Sequence, residues 1–287
     1  MQGRHPMRLG VHVSSAGKIY EAVTRAKALG CNTMQLFNHS PRAWKTNPLT
    51  VADAEEFRRR RAAADITPAA VHTSYLVNLA SPEAGLWRRS IAAYIEEVQR
   101  ADRLGIEYLV THVGSPRGRG EAFGIARVAE ALNRVLERTK PQVVVLLENT
   151  AGSGDGLGFR FAQLAAMIEG VKARERMGVC LDSAHTFTAG YDLRTDEGVR
   201  HLNREIAASI GWERIKLVHL NDSKAPFNSH VDRHWHIGQG HLGAEGIRRV
   251  VNHPKLQHLP FVLETPKLSE REDRRNLRAV RALVNGA

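Results

Sequence analysis

The chain has 287 residues, 43% hydrophobic and 25% charged, with a formal net charge of +11 and a pI of about 10.1. Its length suffices to bury a core without covalent staples, and two cysteines, Cys31 and Cys180, make no disulfide framework, so a disulfide-rich secreted domain is excluded. No apolar run reaches the roughly eighteen residues of a membrane span, the opening MQGRHPMRLG lacks the apolar stretch of a secretory signal, and a reducing cytoplasm is the expected setting. The excess of basic residues points to a polyanionic partner, most simply nucleic acid, although charge alone does not separate that reading from a solubilising surface.

In chain order, short apolar or β-branched runs recur at Arg8–Val13, Thr33–Phe37, Ile66–His72, Glu107–His112, Gln142–Glu148, Met177–Asp182, Ile215–Leu220 and Phe261–Glu264. They are continuously apolar rather than alternating, as expected of parallel strands covered on both faces. Between them lie helical patterns. Ile19, Ala22, Val23, Ala26 and Leu29 share one face, with Gly30 as the expected C-terminal cap. LWRRSIAAYIEEVQRADRLG, FGIARVAEALNRVLERT, FRFAQLAAMIEGV and EREDRRNLRAVRALVNG repeat the pattern. Eight strands alternating with helices predict a (β/α)8 TIM barrel, with an open doubly wound sheet as the runner-up. No linker, composition break or internal repeat divides residues 1–287, so one domain is expected.

In such barrels chemistry sits at the C-terminal ends of the strands. Strands three to six end at His72, His112, Glu148 and Asp182, with His185 three residues on; strand seven carries His219, and strand eight ends at Glu264. The loop after strand seven, HVDRHWHIGQGHLG, holds four histidines within twelve residues together with Asp232. Any one of these histidines alone reads as a hydrogen-bonded core residue. The full set, five histidines (His72, His112, His185, His219, His234) and four carboxylates (Glu148, Asp182, Asp232, Glu264), exceeds the capacity of one metal and suffices for two or three. Imidazole and carboxylate without thiolate favour zinc, with manganese able to occupy part of the site. Three divalent cations would carry +6 against −4 from these four carboxylates, and the residual positive charge favours an anionic substrate such as a phosphodiester. The stretch GSGDGLG (Gly152–Gly158) matches neither the dinucleotide fingerprint nor the P-loop and reads as a turn.

The segments GVHVSSAGKI, LENTAG, CLDSAH, VHLNDSK, DRHWHIGQG and FVLETP, in this order from Arg8 to Pro266, resemble endonuclease IV, the trinuclear-zinc apurinic/apyrimidinic endonuclease family (AP endonuclease family 2). The resemblance implies three zinc ions: His72, His112 and Glu148 around the first; Glu148 as a bridge to a second completed by Asp182, His219 and Glu264; His185, Asp232 and His234 around the third. It implies hydrolysis of the phosphodiester 5′ to an abasic site by metal-bound hydroxide, with Glu148 as the central catalytic carboxylate, leaving a 3′-hydroxyl and a 5′-deoxyribose phosphate, and removal of blocking groups from 3′ ends. The implied partner is double-stranded DNA carrying such lesions, bound by a monomer. Arg42, in NHSPRAWK, and Tyr75 resemble family residues that touch DNA, while Trp44 is expected to pack its loop. Gln239 departs from a glutamate frequent at that position. His12, His230, His236 and His241 receive no assignment. A divalent-metal sugar isomerase or epimerase on the same barrel is the alternative. Such an enzyme has no use for the Asp232–His234 pair.

Overall fold

The computed structural model describes residues 7–140 and 142–285; the start of the MQGRHPMRLG stretch and Gly286 of the last helical pattern lie outside the described residues. Eight short parallel strands form one sheet: β1 (Leu9–Val11), β2 (Met34–Leu36), β3 (Ala69–His72), β4 (Tyr108–Thr111), β5 (Val144–Glu148), β6 (Met177–Asp182), β7 (Ile215–His219) and β10 (Phe261–Leu263). Their order around the sheet is β1-β10-β7-β6-β5-β4-β3-β2. The seam between the two ends is closed by a parallel bridge from His12 to Gln35, reinforced by Val13 N–H donating to Gln35 O at 2.8 Å. The sheet is therefore a nearly closed TIM barrel, not the open doubly wound alternative. Each strand lies inside its predicted run, and all but β6 are trimmed at one end or both.

Helices surround the barrel: α1 (Glu21–Ala28), α2 (Val51–Ala63), α3 (Ala84–Leu104), α4 (Glu121–Leu136), α5 (Phe161–Glu169), α6 (Ser183–Thr188), α7 (Asp196–Ala208), α8 (Gly243–Val251) and α9 (Glu270–Leu283). Gly30 follows α1 with φ +71°, the left-handed residue that its position predicts. Four helices, α2, α6, α7 and α8, lie where no helical pattern is predicted. Local chemistry explains three of their starts: Thr50, Asp182 and Thr195 cap α2, α6 and α7 by accepting Asp53 N–H, His185 N–H and Gly198 N–H. No helix among the described residues is long and apolar enough to cross a membrane.

The core has two parts. One large apolar layer fills the space between sheet and helices. A smaller one, Ala70, Val110, Leu146, Cys180, Leu217 and Val262, fills the barrel interior, one residue from each of six strands. Both cysteines are buried and free, which matches their reading as small hydrophobes.

Strand β1 needs a glycine at the closing seam. A Cβ on Gly10 would stand 1.9 Å from Thr33 O, so β1 and β2 could not approach as they do. Gly10→Ala is expected to lower stability by about 1–3 kcal/mol, the usual cost of overpacking. Urea unfolding checks this, and an unchanged midpoint would contradict the seam constraint.

Candidate metal centre

Side chains on a strand alternate between faces, so the residue two positions after each interior core residue also points into the barrel. Applied to Ala70, Val110, Leu146, Cys180, Leu217 and Val262, this rule gives His72, His112, Glu148, Asp182, His219 and Glu264. Strands β1 and β2 contribute His12 and Gln35 to the same end of the barrel. Glu148, Asp182 and His219 are fully buried.

Glu148 lies at the middle. Its Oε2 is 3.1 Å from His72 Nε2 and 3.2 Å from His112 Nε2, while Oε1 is 3.0 Å from His219 Nδ1 and 3.4 Å from His185 Nδ1. His219 Nδ1 also lies 3.2 Å from Glu264 Oε2. Ligand-capable atoms form three groups, each within 4.8 Å of one another: His72, His112 and Glu148; Glu148, Asp182, His219 and Glu264; and Asp182, His185 and His234. Glu148 joins the first group to the second, and Asp182 joins the second to the third. Asp232 completes the rim of the third, 3.0 Å from His185 Nε2 and 3.7 Å from His234 Nε2.

The imidazoles are held with one nitrogen facing inward. His72 Nδ1 donates to Thr73 O at 2.9 Å, His185 Nδ1 to Asn149 O at 2.9 Å, and His219 Nε2 to Gln35 Oε1 at 2.8 Å. A ring that donates through one nitrogen leaves a lone pair on the other, which is how metal-binding histidines are oriented. His185 Nε2 and His234 Nε2 are buried without a hydrogen bond, although carboxylate oxygens lie within 3.0 to 3.7 Å. Tetrahedral zinc with bonds of about 2.0–2.1 Å places its ligand atoms about 3.3 Å apart. The spacing within these groups and the unpaired inward nitrogens fit divalent cations.

The carboxylates are braced in turn. Asp182 caps α6 through Oδ1, which accepts His185 N–H at 2.7 Å, and Oδ2 accepts Asn221 Nδ2–H at 2.8 Å. One side chain thereby fixes its own carboxylate and places His185 three residues later. Gln35 Nε2 donates to Glu264 Oε1 at 2.6 Å and lies 3.0 Å from His12 Nδ1.

The loop after β7 is more ordered than its sequence suggests. Strand β8 (Asp222–Ser223) pairs antiparallel with β9 (His234–Trp235), so His234 stands on a two-strand ribbon. Asp222, fully buried, accepts N–H groups from Ser223, Gly240, Leu242 and Gly243 and fastens the return of this loop. His230 adopts φ 55°, receives Ser153 Oγ–H on its carbonyl and donates Nδ1–H to Ala151 O at 2.9 Å. It ties the Asp232 segment to the loop after β5. His236 lies 3.2 Å from Asn276, and His241 and Gln239 flank a shallow hollow with Trp235. None of the three reaches the cation groups.

A cavity of about 430 Å³ opens above the cluster, lined by His72, His112, His185, Asp232, His234 and Glu264 among others. Tyr75 stands on its rim, two-thirds exposed, with Phe37 beneath it at 5.3 Å. Arg42 is exposed in the neighbouring loop, and Trp44 is half-buried under the Arg89 guanidinium at 5.4 Å. The two loops are joined at Pro41 O, which accepts Ser74 Oγ–H at 2.7 Å and Tyr75 N–H at 3.2 Å. Below them α3 supplies a buried anchor missing from the sequence reading. Glu97 Oε1 lies 3.1 Å from His39 Nε2 and accepts Ser74 N–H, while Arg100 donates to Asn38 O.

Burial is the largest single influence on Glu148 and on four of the histidines around it. Alone it would raise Glu148, but the imidazoles of His112 and His219 outweigh it and hold the carboxyl well below its ordinary range. Burial would lower His72, His185, His219 and His234, yet adjacent carboxylates, preceded at His219 by the Cys180 thiol, outweigh it and raise all four.

A family profile described as a xylose isomerase-like TIM barrel matches residues 23–283. The chain is 44% identical over 282 residues to a protein named "Probable endonuclease 4" from Chloroflexus aurantiacus, covering 98% of this chain and 99% of that one. It is 42% identical over 266 residues to the namesake from Halothermothrix orenii, covering 93% and 96%. The crystal structure of endonuclease IV from Thermus thermophilus superposes with a TM-score of 0.87 at 40% identity, covering 98% and 100% of the two chains. This chain belongs to the endonuclease IV family. A D-tagatose 3-epimerase-like protein, with a TM-score of 0.73 at 16% identity, shares the fold alone.

The neighbouring carboxylates favour the protonated form of these imidazoles in the cation-free protein, and a cation requires them deprotonated. Cation uptake is therefore expected to release protons and to strengthen from pH 6 to pH 8. Zinc titration of metal-free protein in weak buffer checks this; uptake with no acidification would contradict the proton assignment.

Proposed function

We propose that this chain is a DNA-repair endonuclease. It hydrolyses the phosphodiester 5′ to an apurinic or apyrimidinic site in duplex DNA, leaving a 3′-hydroxyl and a 5′-deoxyribose phosphate, and it clears blocking groups from 3′ ends. The observation that carries the reading is the sharing of ligands. Three overlapping groups of imidazoles and carboxylates are joined through Glu148 and Asp182, at the floor of an open cavity, in a chain with endonuclease IV relatives along its whole length.

The residues are assigned as follows. His72, His112 and Glu148 hold one zinc ion, Glu148 with Asp182, His219 and Glu264 a second, and His185, Asp232 and His234 a third. Bound there, zinc supplies charge for the phosphodiester oxygens and makes water acidic enough to serve as the nucleophile near neutral pH. The protein's own contribution is placement. Glu148 keeps two groups within one carboxylate of each other. Thr73, Asn149 and Gln35 fix the tautomers of His72, His185 and His219, so no ring must turn during the reaction. Asp232 and His112 are half exposed at the mouth of the cavity and the others lie beneath, so the phosphate meets the cluster from one side.

Arg42 and Tyr75 belong to two loops locked through Pro41 O, and we assign them to DNA. Arg42 enters the stack and Tyr75 presents its ring beside the cavity. An abasic nucleotide has no base to unstack, so extruding it costs less than extruding an intact one, and that difference is a source of selectivity. The net charge of +11 suits backbone binding that weakens with salt. A sugar epimerase is disfavoured by the ribbon that brings His234, with Asp232, beside Asp182 and His185.

The test is a duplex carrying one abasic site, incubated with and without a chelator, alongside elemental analysis. A chelator-sensitive nick on the 5′ side and about three zinc ions per chain, falling by about one in His234→Ala, are expected. An intact duplex would refute the activity. Unchanged metal content in His234→Ala would refute the third site.

A further inference from the structure

Beside the cavity lies a second groove of about 630 Å³, lined by Ser14, Ser15, Lys18, Lys45 and Arg100 among others. The two hollows share three residues, His12, Phe37 and Lys267. Lys267 is the one cation common to both. It follows β10 by four residues, just beyond Glu264, and its side chain is one-third exposed.

The Lys267 ammonium is held from two sides. Nζ donates to His12 O at 2.7 Å and to Asp273 Oδ2, in the first turn of α9, at 2.8 Å. An ammonium has three N–H donors, so one remains free at the junction of the hollows. Lys18 is engaged with Asp53 at 3.2 Å, whereas Lys45 on the rim has no hydrogen bond or ion pair among the described residues. Nothing in the chemistry assigned to the cation groups uses Lys267. The tie between β1 and α9 leaves the side chain one-third exposed on both hollows, accessible to a ligand.

We propose that Lys267 is a phosphate anchor: the DNA strand whose scissile phosphate meets the Glu148 cluster continues into the second groove, and Lys267 grips a neighbouring backbone phosphate. This rests on the duplex-DNA reading above. Lys267 is a positioning residue. It fixes where the strand lies, and it acts on KM rather than on kcat.

The experiment uses metal-loaded protein and two probes: the nicked product duplex, for equilibrium binding by fluorescence anisotropy across a salt series, and the abasic duplex for steady-state incision. Each phosphate contact contributes about −0.9 to the slope of log affinity against log salt. Lys267→Met is expected to make the slope shallower by about one, weaken product binding several-fold and raise KM, with zinc content unchanged. Lys267→Arg is expected to retain the wild-type slope. An unchanged slope in Lys267→Met would overturn the proposal. Loss of zinc or of thermal stability in Lys267→Met with the slope intact would likewise overturn it, in favour of a structural tie. If wild-type protein incises the abasic duplex, the DNA reading stands whichever way Lys267 falls; if it neither binds nor incises, that reading fails and takes the anchor with it.

Discussion

The site depends on one buried carboxylate. Glu148 is fully enclosed and has four imidazoles within 3.4 Å. A lone carboxylate there would cost several kcal/mol in desolvation, and removing the partners of a buried charge costs about 3–5 kcal/mol. The rest of the arrangement follows from satisfying that charge. Histidines arrive from β3, β4, α6 and β7 because the barrel converges there. The outward nitrogens of His72, His185 and His219 are tied to backbone carbonyls or to Gln35, which leaves the other nitrogen of each ring for a ligand. The remaining carboxylates share those imidazoles, and the inward nitrogens of His185 and His234 that lack a hydrogen bond fit a divalent cation.

Much of this was readable from residue order. Six strands ending in histidine or carboxylate are a statement about one end of a barrel once the barrel is accepted, and a residue-by-residue alternation turns it into geometry: Leu146 faces the core, so Glu148 faces the cavity; Cys180 faces the core, so Asp182 does too. The same alternation would have singled out His12 and Gln35. By residue type Gln35 has no such legibility, because an amide in a short strand carries no chemical signature of its own, and its importance comes from His219 and Glu264, 184 and 229 residues away. Asn149 and Asn221 were hidden for the same reason. The ribbon β8–β9 was illegible because strands of two residues have no period. The Glu97–His39 anchor could not be found locally, since it joins a helix face to a loop far earlier in the chain.

The fold alone does not specify the chemistry. An epimerase-like barrel superposes well at 16% identity, and eight parallel strands with a polar mouth suit many reactions. What distinguishes this chain lies in the loops set on the frame. The ribbon with Asp232 and His234 enlarges the cluster beyond what β5, β6 and β7 supply. Of the paired loops, one sets Tyr75 on the rim of the cavity and the other carries exposed Arg42. Both additions are tied down by polar contacts, buried Asp222 and half-buried His230 in one case and buried Glu97 and Arg100 in the other. Ties of this kind restrict how far these loops can move and so help to hold their side chains in place.

The central claim is that one carboxylate is shared between neighbouring cations. Diffraction from a zinc-loaded crystal, with anomalous data collected on both sides of the zinc edge, tests it most directly. The account predicts three maxima in the cavity, two of them flanking Glu148 at the roughly 3.5–4 Å separation of bridged pairs, and the third between His185, Asp232 and His234. A single maximum, or maxima that leave Glu148 uncoordinated, would contradict it.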